Sequence, residues 1–168
     1  AEALFQGLAV LGVMVALSVA EDEKPVYELL TDRAFGAIRR TLAWSALAGF
    51  AIGAYLLVWP PGVLLVGILG AFFLIYLSWE FVRGHSPEHG AFAGTVALGT
   101  AGIVALSTTN TLAISATSRS LLQPGLAFAV AFGCVFMAWF AREWDDRDLP
   151  ALGYPAAVLG IILALALA

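Results

Sequence analysis

The chain has 168 residues, 61% of them hydrophobic and only 12% charged, with a formal net charge of −4 and a mean hydropathy of +0.93. A soluble domain carries about 25% charged residues, so 8 basic and 12 acidic side chains are too few to coat a soluble particle of this length; a lipid bilayer, by contrast, suits such a surface. The acidic balance argues against nucleic acid as a partner, since phosphate binding needs a concentrated basic face, and the single cysteine, Cys134, excludes an intrachain disulfide or two-thiol redox centre.

A helix that crosses the hydrocarbon needs about 20 apolar residues, and the chain breaks into six runs near that length. Residues 3–20 form the first. It is expected to be a retained span, because a signal peptide wants a basic n-region and Glu2 alone is charged ahead of the run. Residues 21–40 are the longest polar connection. Pro25 there suits the start of a short surface helix carrying Val26, Leu29 and Leu30, and Thr31 or Asp32 suits the cap of the next helix. The second span, 41–59, stops at Pro60-Pro61-Gly62, which removes two donors and predicts a tight turn.

The third span is 63–82 and the fourth 91–107, separated by RGHSPEHG at 83–90. The hydroxyl-rich stretch 108–120 reads as an irregular or re-entrant connection, followed by the fifth span at 121–141 and the loop REWDDRDLP. From Pro155 the chain offers only about 21 Å of helix at 1.5 Å per residue, short of a core of about 30 Å. A start at Pro150, with Pro155 as a kink, lengthens the sixth span to 150–168. The predicted fold is thus all-α, a single transmembrane domain of six helices, with five as the fallback.

Charge placement gives a topology. Lys24, Arg33, Arg39, Arg40, Arg83, Arg142 and Arg147 fall in the first, third and fifth connections, and Arg119 falls opposite. The positive-inside rule then places both termini on the non-cytoplasmic side. All acids but Glu2 share those three connections, and the five tryptophans fall near span ends, as interfacial aromatics do. A prokaryotic plasma membrane is the expected location, with the lipid bilayer as partner and self-association or other membrane subunits as further partners.

Several residues carry candidate chemistry. His85, Glu88 and His89 match H-x-x-E-H, an inverted zinc-peptidase pattern. Ser86-Pro87-Glu88 also reads as a helix start, with Ser86 as cap, Pro87 at the first helical position and Glu88 favoured by the helix dipole; this reading is preferred, because it leaves His85 outside the helix and the two rings on different faces. No cofactor is therefore expected, a divalent metal being the alternative. Glu143-Trp144-Asp145-Asp146-Arg147-Asp148 fails the D-D-x-x-D spacing for magnesium because Leu149 takes the last position, and it reads as a solvated loop.

Glu80 stands in the last turn of the third span, beside Trp79 and three residues before Arg83. It is either half of an i, i+3 ion pair with Arg83 or the mouth of a pathway. At the other end Ser107, Thr108, Thr109, Asn110, Thr111, Ser115, Thr117 and Ser118, with Arg119 and Gln123, read as an extracellular loop or as the lining of a polar entrance. Gly49, Gly53, Gly90 and Gly94, at small-xxx-small spacings, are expected at helix contacts. No ionisable residue occupies the middle of a span, which argues against ion-coupled carriage. The favoured function is facilitative permeation of a small solute or ion through a channel or uncoupled carrier. The alternatives are a non-catalytic membrane subunit or scaffold, and a membrane enzyme with a cytoplasmic-face metal site.

Overall fold

The structure, a computed structural model, describes residues 2–21, 35–109, 114–115 and 120–167. These form six α-helices: α1 Glu2–Glu21, α2 Phe35–Val58, α3 Val63–Val82, α4 Glu88–Leu106, α5 Leu122–Asp145 and α6 Gly153–Leu167. The fold is all-α. Four of the helices, α2 to α5, are long and apolar enough to cross a membrane, whereas the apolar parts of α1 and α6 are shorter, Gln6–Ala20 and Gly153–Ala164. Residues 22–34, which include Thr31 and Asp32, lie outside the described residues.

Local chemistry explains most of the boundaries. Pro60–Gly62 makes a 3-10 turn closed by the Gly62 amide donating to Trp59 O at 2.8 Å. The turn sits under Tyr55, whose Cε1 would be 2.5 Å from a methyl group placed on Gly62. At the other end of α3, Gly84 has φ +78°, and the amides of His85 and Gly84 donate to Glu80 O and Phe81 O at 3.0 Å each. That bond pair is a Schellman cap, which needs a residue in the left-handed region.

Some boundaries differ from expectation, and α2 is already helical at Phe35, ahead of the predicted span 41–59. α5 continues past residue 141 through Asp145, and the Glu143–Arg147 ion pair, four residues apart, spans its end. α6 begins at Gly153 rather than Pro150, because residues 150–154 form isolated turns, Gly153 N–H to Pro150 O and Tyr154 N–H to Ala151 O. Pro155 then falls in the first helical turn, where its missing N–H costs no intrahelical bond, so it makes no kink.

The helices pack around α4, which touches α1, α2, α3 and α5. Its buried face is nearly all small: Gly90, Ala91, Ala93, Gly94, Ala97, Leu98, Ala101, Gly102 and Ala105. Small residues let backbones approach closely, which in lipid replaces the hydrophobic drive that water supplies. Gly49 of α2 lies against Ala97 and Thr100, and Gly53 against Val104, so α2 and α4 run parallel. Gly90 faces Tyr76 and Leu77, Gly94 faces Phe73 and Cys134, and Gly102 faces Phe128, so α3 and α5 each run antiparallel to α4. Tyr154 pins α6: its fully buried hydroxyl donates to Met137 O of α5 at 2.8 Å, and its ring packs on Phe81, Phe140 and Trp144.

Candidate functional site

The alternating helix directions bring the start of α2, the end of α3, the start of α4, the end of α5 and the start of α6 to one end of the bundle. Among the described residues, Arg39, Arg40, Glu80, Arg83, Glu88, Arg142, Glu143 and Asp145 stand at this end. The Schellman cap folds the chain back after α3, setting His85 Nδ1 3.2 Å from Glu80 Oε2. Arg83 does not pair with Glu80, as its i, i+3 spacing suggested. Its guanidinium instead lies over the Trp79 ring, 4.8 Å from the centroid, a cation–π contact.

α4 starts one residue later than the spacing suggested. Pro87 occupies the cap position and Glu88 is the first helical residue, with the Glu88 amide 3.4 Å from Ser86 Oγ. Glu88 sits in the first turn, favoured by the helix dipole, and reaches Arg142 of α5 at 3.8 Å. His85 is drawn toward Glu80 rather than onto the α4 face that carries His89. Among the described residues no group of three or more His, Cys, Asp or Glu is placed to hold a metal ion.

Two apolar grooves open at this end, both beside α6. One, of about 330 Å³, is lined by Phe136, Trp139, Phe140, Trp144 and Ile161, with Glu143 and Arg147 at its rim. The other, of about 270 Å³, lies between Leu74, Ile75, Ser78, Trp79 and Val82 of α3 and Pro155 and Leu159 of α6.

Ser107 and Thr108 fall at the opposite end, just past α4, while Asn110, Thr111, Thr117, Ser118 and Arg119 lie outside the described residues. The 19 residues of α4 hold the two ends apart by about 28 Å. The hydroxyls here are spent locally: Ser107 Oγ donates to Val104 O at 2.7 Å, and Thr108 and Thr109 donate to Ala105 O at 3.1 Å each. A buried knot accompanies them. Ser120 Oγ donates to Ser115 O at 2.6 Å and accepts from Ser115 N at 3.0 Å, while Gln123 Oε1 accepts from Ser120 N at 2.9 Å. Between the ends, the space beside α4 is filled by Phe73, Leu77, Leu98 and Ala101, and Thr95 spends its hydroxyl on Ala91 O at 2.7 Å.

The chain resembles a glycosyltransferase. It is 43% identical over 162 residues to the dolichyl-monophosphooligosaccharide–protein glycotransferase AglB of Haloferax volcanii, a match covering 96% of this chain and 15% of that protein. The fold recurs in the oligosaccharyltransferase of Archaeoglobus fulgidus. Its structure with a tethered acceptor peptide containing the NVT sequon matches with TM-score 0.76 and 21% identity, over 99% of this chain and 19% of that one. The same enzyme with an inhibitory peptide and a dolichol-phosphate matches equally well, and its complex with Zn and sulfate matches with TM-score 0.73 and 19% identity, over 98% and 20% of the two chains. The chain therefore spans a fifth or less of the length of the relatives it matches. No protein-family model matches it.

These relatives correct the functional expectation. The favoured reading, a channel or uncoupled carrier for a small solute, is overturned by a 43% identical stretch of a glycosyltransferase running along nearly the whole chain. An uncharged midplane and a polar stretch at one end are equally the properties of a helical body inside a larger membrane enzyme, so composition alone pointed the wrong way. Sequence reasoning missed Tyr154 and Ser120, and it set Gln123 at a polar entrance, whereas its amide oxygen accepts from Ser120. The signal for Tyr154 was an aromatic with a polar tip one residue before a proline at a helix start.

Proposed function

We propose that this chain is part of the membrane-embedded body of a glycosyltransferase that moves an oligosaccharide from a dolichyl monophosphate carrier to protein. The observation that carries the reading is the 43% identity to the Haloferax volcanii enzyme along 96% of the chain. The shared helical arrangement with the Archaeoglobus fulgidus enzyme supports it at the level of the fold.

In this reading the bundle crosses the membrane six times, α1 and α6 included, with both termini on the non-cytoplasmic side. The charge bias supports that topology, since Arg39, Arg40, Arg83, Arg142 and Arg147 stand at one end of the described helices. The location is a prokaryotic plasma membrane, and the lipid partner is the dolichyl carrier, as dolichol-phosphate accompanies the Archaeoglobus fulgidus relative. The His85–His89 segment serves to end α3 and start α4. The bundle's part in the reaction is to give carrier and acceptor a rigid frame, built from glycine contacts that leave little room for rearrangement.

A replacement experiment tests the proposal. This chain is put in place of the matching stretch of the Haloferax volcanii enzyme, in cells lacking their own copy, and glycosylation of a reporter glycoprotein is read by mobility and mass. Glycosylation is expected. Its loss in a replacement protein that accumulates in the membrane at the parent's level overturns the proposal.

A further inference from the structure

The groove between α3 and α6 has a feature that the other groove lacks, a cation that pairs with no carboxylate among the described residues. In the 330 Å³ groove the arginine at the rim, Arg147, is paired to Glu143. At the 270 Å³ groove Trp79 forms part of the wall, and the exposed Arg83 lies across that same indole. The nearest carboxylate in sequence, Glu80, is turned to His85, and no ion pair joins Arg83 to any described carboxylate. Stacking holds the guanidinium beside the groove wall, among the described residues no side chain accepts from its N–H edge, and planar N–H pairs match phosphate oxygens.

We propose that this groove is a binding site for an anionic membrane phospholipid, with one hydrocarbon tail between α3 and α6 and the phosphodiester on Arg83. The walls suit a tail: Leu74, Trp79 and Val82 from α3 face Pro155 and Leu159 from α6, with Ser78 as the sole hydroxyl. From Leu74 to Val82 the groove runs about 12 Å, and its 270 Å³ takes the part of one hydrocarbon tail that lies along it. Charge decides against a zwitterionic lipid, whose own ammonium competes with Arg83 for the phosphate. The site lies at the charged end of the bundle, so the lipid belongs to the leaflet on that side. It is a structural lipid wedged between two helices, independent of the carrier that the proposed reaction consumes.

The test is lipid retention by the purified full chain, delipidated in detergent and titrated with phosphatidylglycerol or phosphatidylcholine, with bound lipid counted by native mass spectrometry. The wild type is expected to prefer phosphatidylglycerol by about fivefold, the effect of one basic residue near an anionic headgroup. Arg83→Gln is expected to abolish the preference while retaining tail binding, Arg83→Lys to keep most of it, and Leu159→Trp, which fills the groove, to lose both lipids. Equal retention of the two lipids by wild type overturns the proposal. So does tighter retention of dolichyl phosphate than of phosphatidylglycerol, which would make this a carrier site, and so does retention of neither lipid.

Discussion

Gly94 of α4 lies against the ring of Phe73 of α3, so closely that a methyl group on the glycine would stand 2.8 Å from the phenyl Cε1 and 3.0 Å from Cys134 Sγ of α5. Three helices meet at this point, and Phe73 is only 2% exposed. The centre of the bundle is therefore a packed joint, and helix spacing around it is set by the absence of one side chain.

Gly94→Ala is expected to destabilise the protein by about 1–3 kcal/mol, the cost of overpacking a filled interior. Gly67, with nothing within 4 Å of an added methyl, is the control. Gly67→Ala should be neutral or stabilising by up to about 1 kcal/mol through helix propensity. Unfolding in detergent followed by circular dichroism separates the two, and equal effects would refute the joint.

The end of α5 carries strain that can be relieved. Asp148 has φ 51°, and the bonds Leu149 N–H to Trp144 O and Asp148 N–H to Asp145 O are those of a Schellman cap, in which glycine is preferred. Asp148→Gly is expected to stabilise by about 1 kcal/mol, read as a higher melting temperature. A lower one would mean that the carboxylate has a role at this end beyond the turn.

Tyr154→Phe keeps the ring packing and removes the single hydrogen bond to Met137 O. The expected cost is about 0.5–1.5 kcal/mol. Because the bond ties α6 to α5, protease cleavage in the 146–152 connection should accelerate with it, and an unchanged cleavage rate would show that the aromatic contacts alone hold α6.

Ser120→Ala removes the hydroxyl that serves both the amide and the carbonyl of Ser115. Losing the two bonds that join it to the part-buried Ser115 should cost about 1–3 kcal/mol, at about 0.5–1.5 kcal/mol each. Thr109→Val, at the same end but donating to a carbonyl already inside a helix, should cost less than Ser120→Ala in the same unfolding assay; the reverse order would contradict the knot's importance.

How far the fold was legible follows from these particulars. Apolar run length placed α3 and α4 to within a turn, and the end of α2 with them, because these runs stop at Pro60-Pro61-Gly62, at Gly84 and at the hydroxyls after Leu106, whereas α2 is helical from Phe35, ahead of its apolar run. Glycine spacing pointed to Gly49, Gly53, Gly90 and Gly94 as contacts, and each would meet a neighbour within 3 Å if given a methyl group. The end of α5 and the start of α6 were misjudged. A charged stretch such as Arg142–Asp145 can be loop or the projecting last turn of a helix, and only tertiary placement decides. The pairing of Arg83 was misjudged for a related reason. Spacing i, i+3 brings side chains near each other on a helix, but the cap beyond Gly84 brought His85 back to Glu80 and left Arg83 to the indole. Function was the least legible, because the chain supplies a fraction of the relatives' length and carries no motif that names a reaction.

The most direct test of the central claim is oligosaccharide transfer by a purified chimera, the Haloferax volcanii enzyme with this chain in place of its matching stretch. A dolichyl-linked donor and a peptide carrying an acceptor sequon are supplied, and the product is counted by mass. The account predicts transfer within about tenfold of the parent enzyme, a barrier change below about 1.4 kcal/mol. A chimera that is folded, membrane-inserted and as heat-stable as the parent, yet transfers nothing, would contradict it.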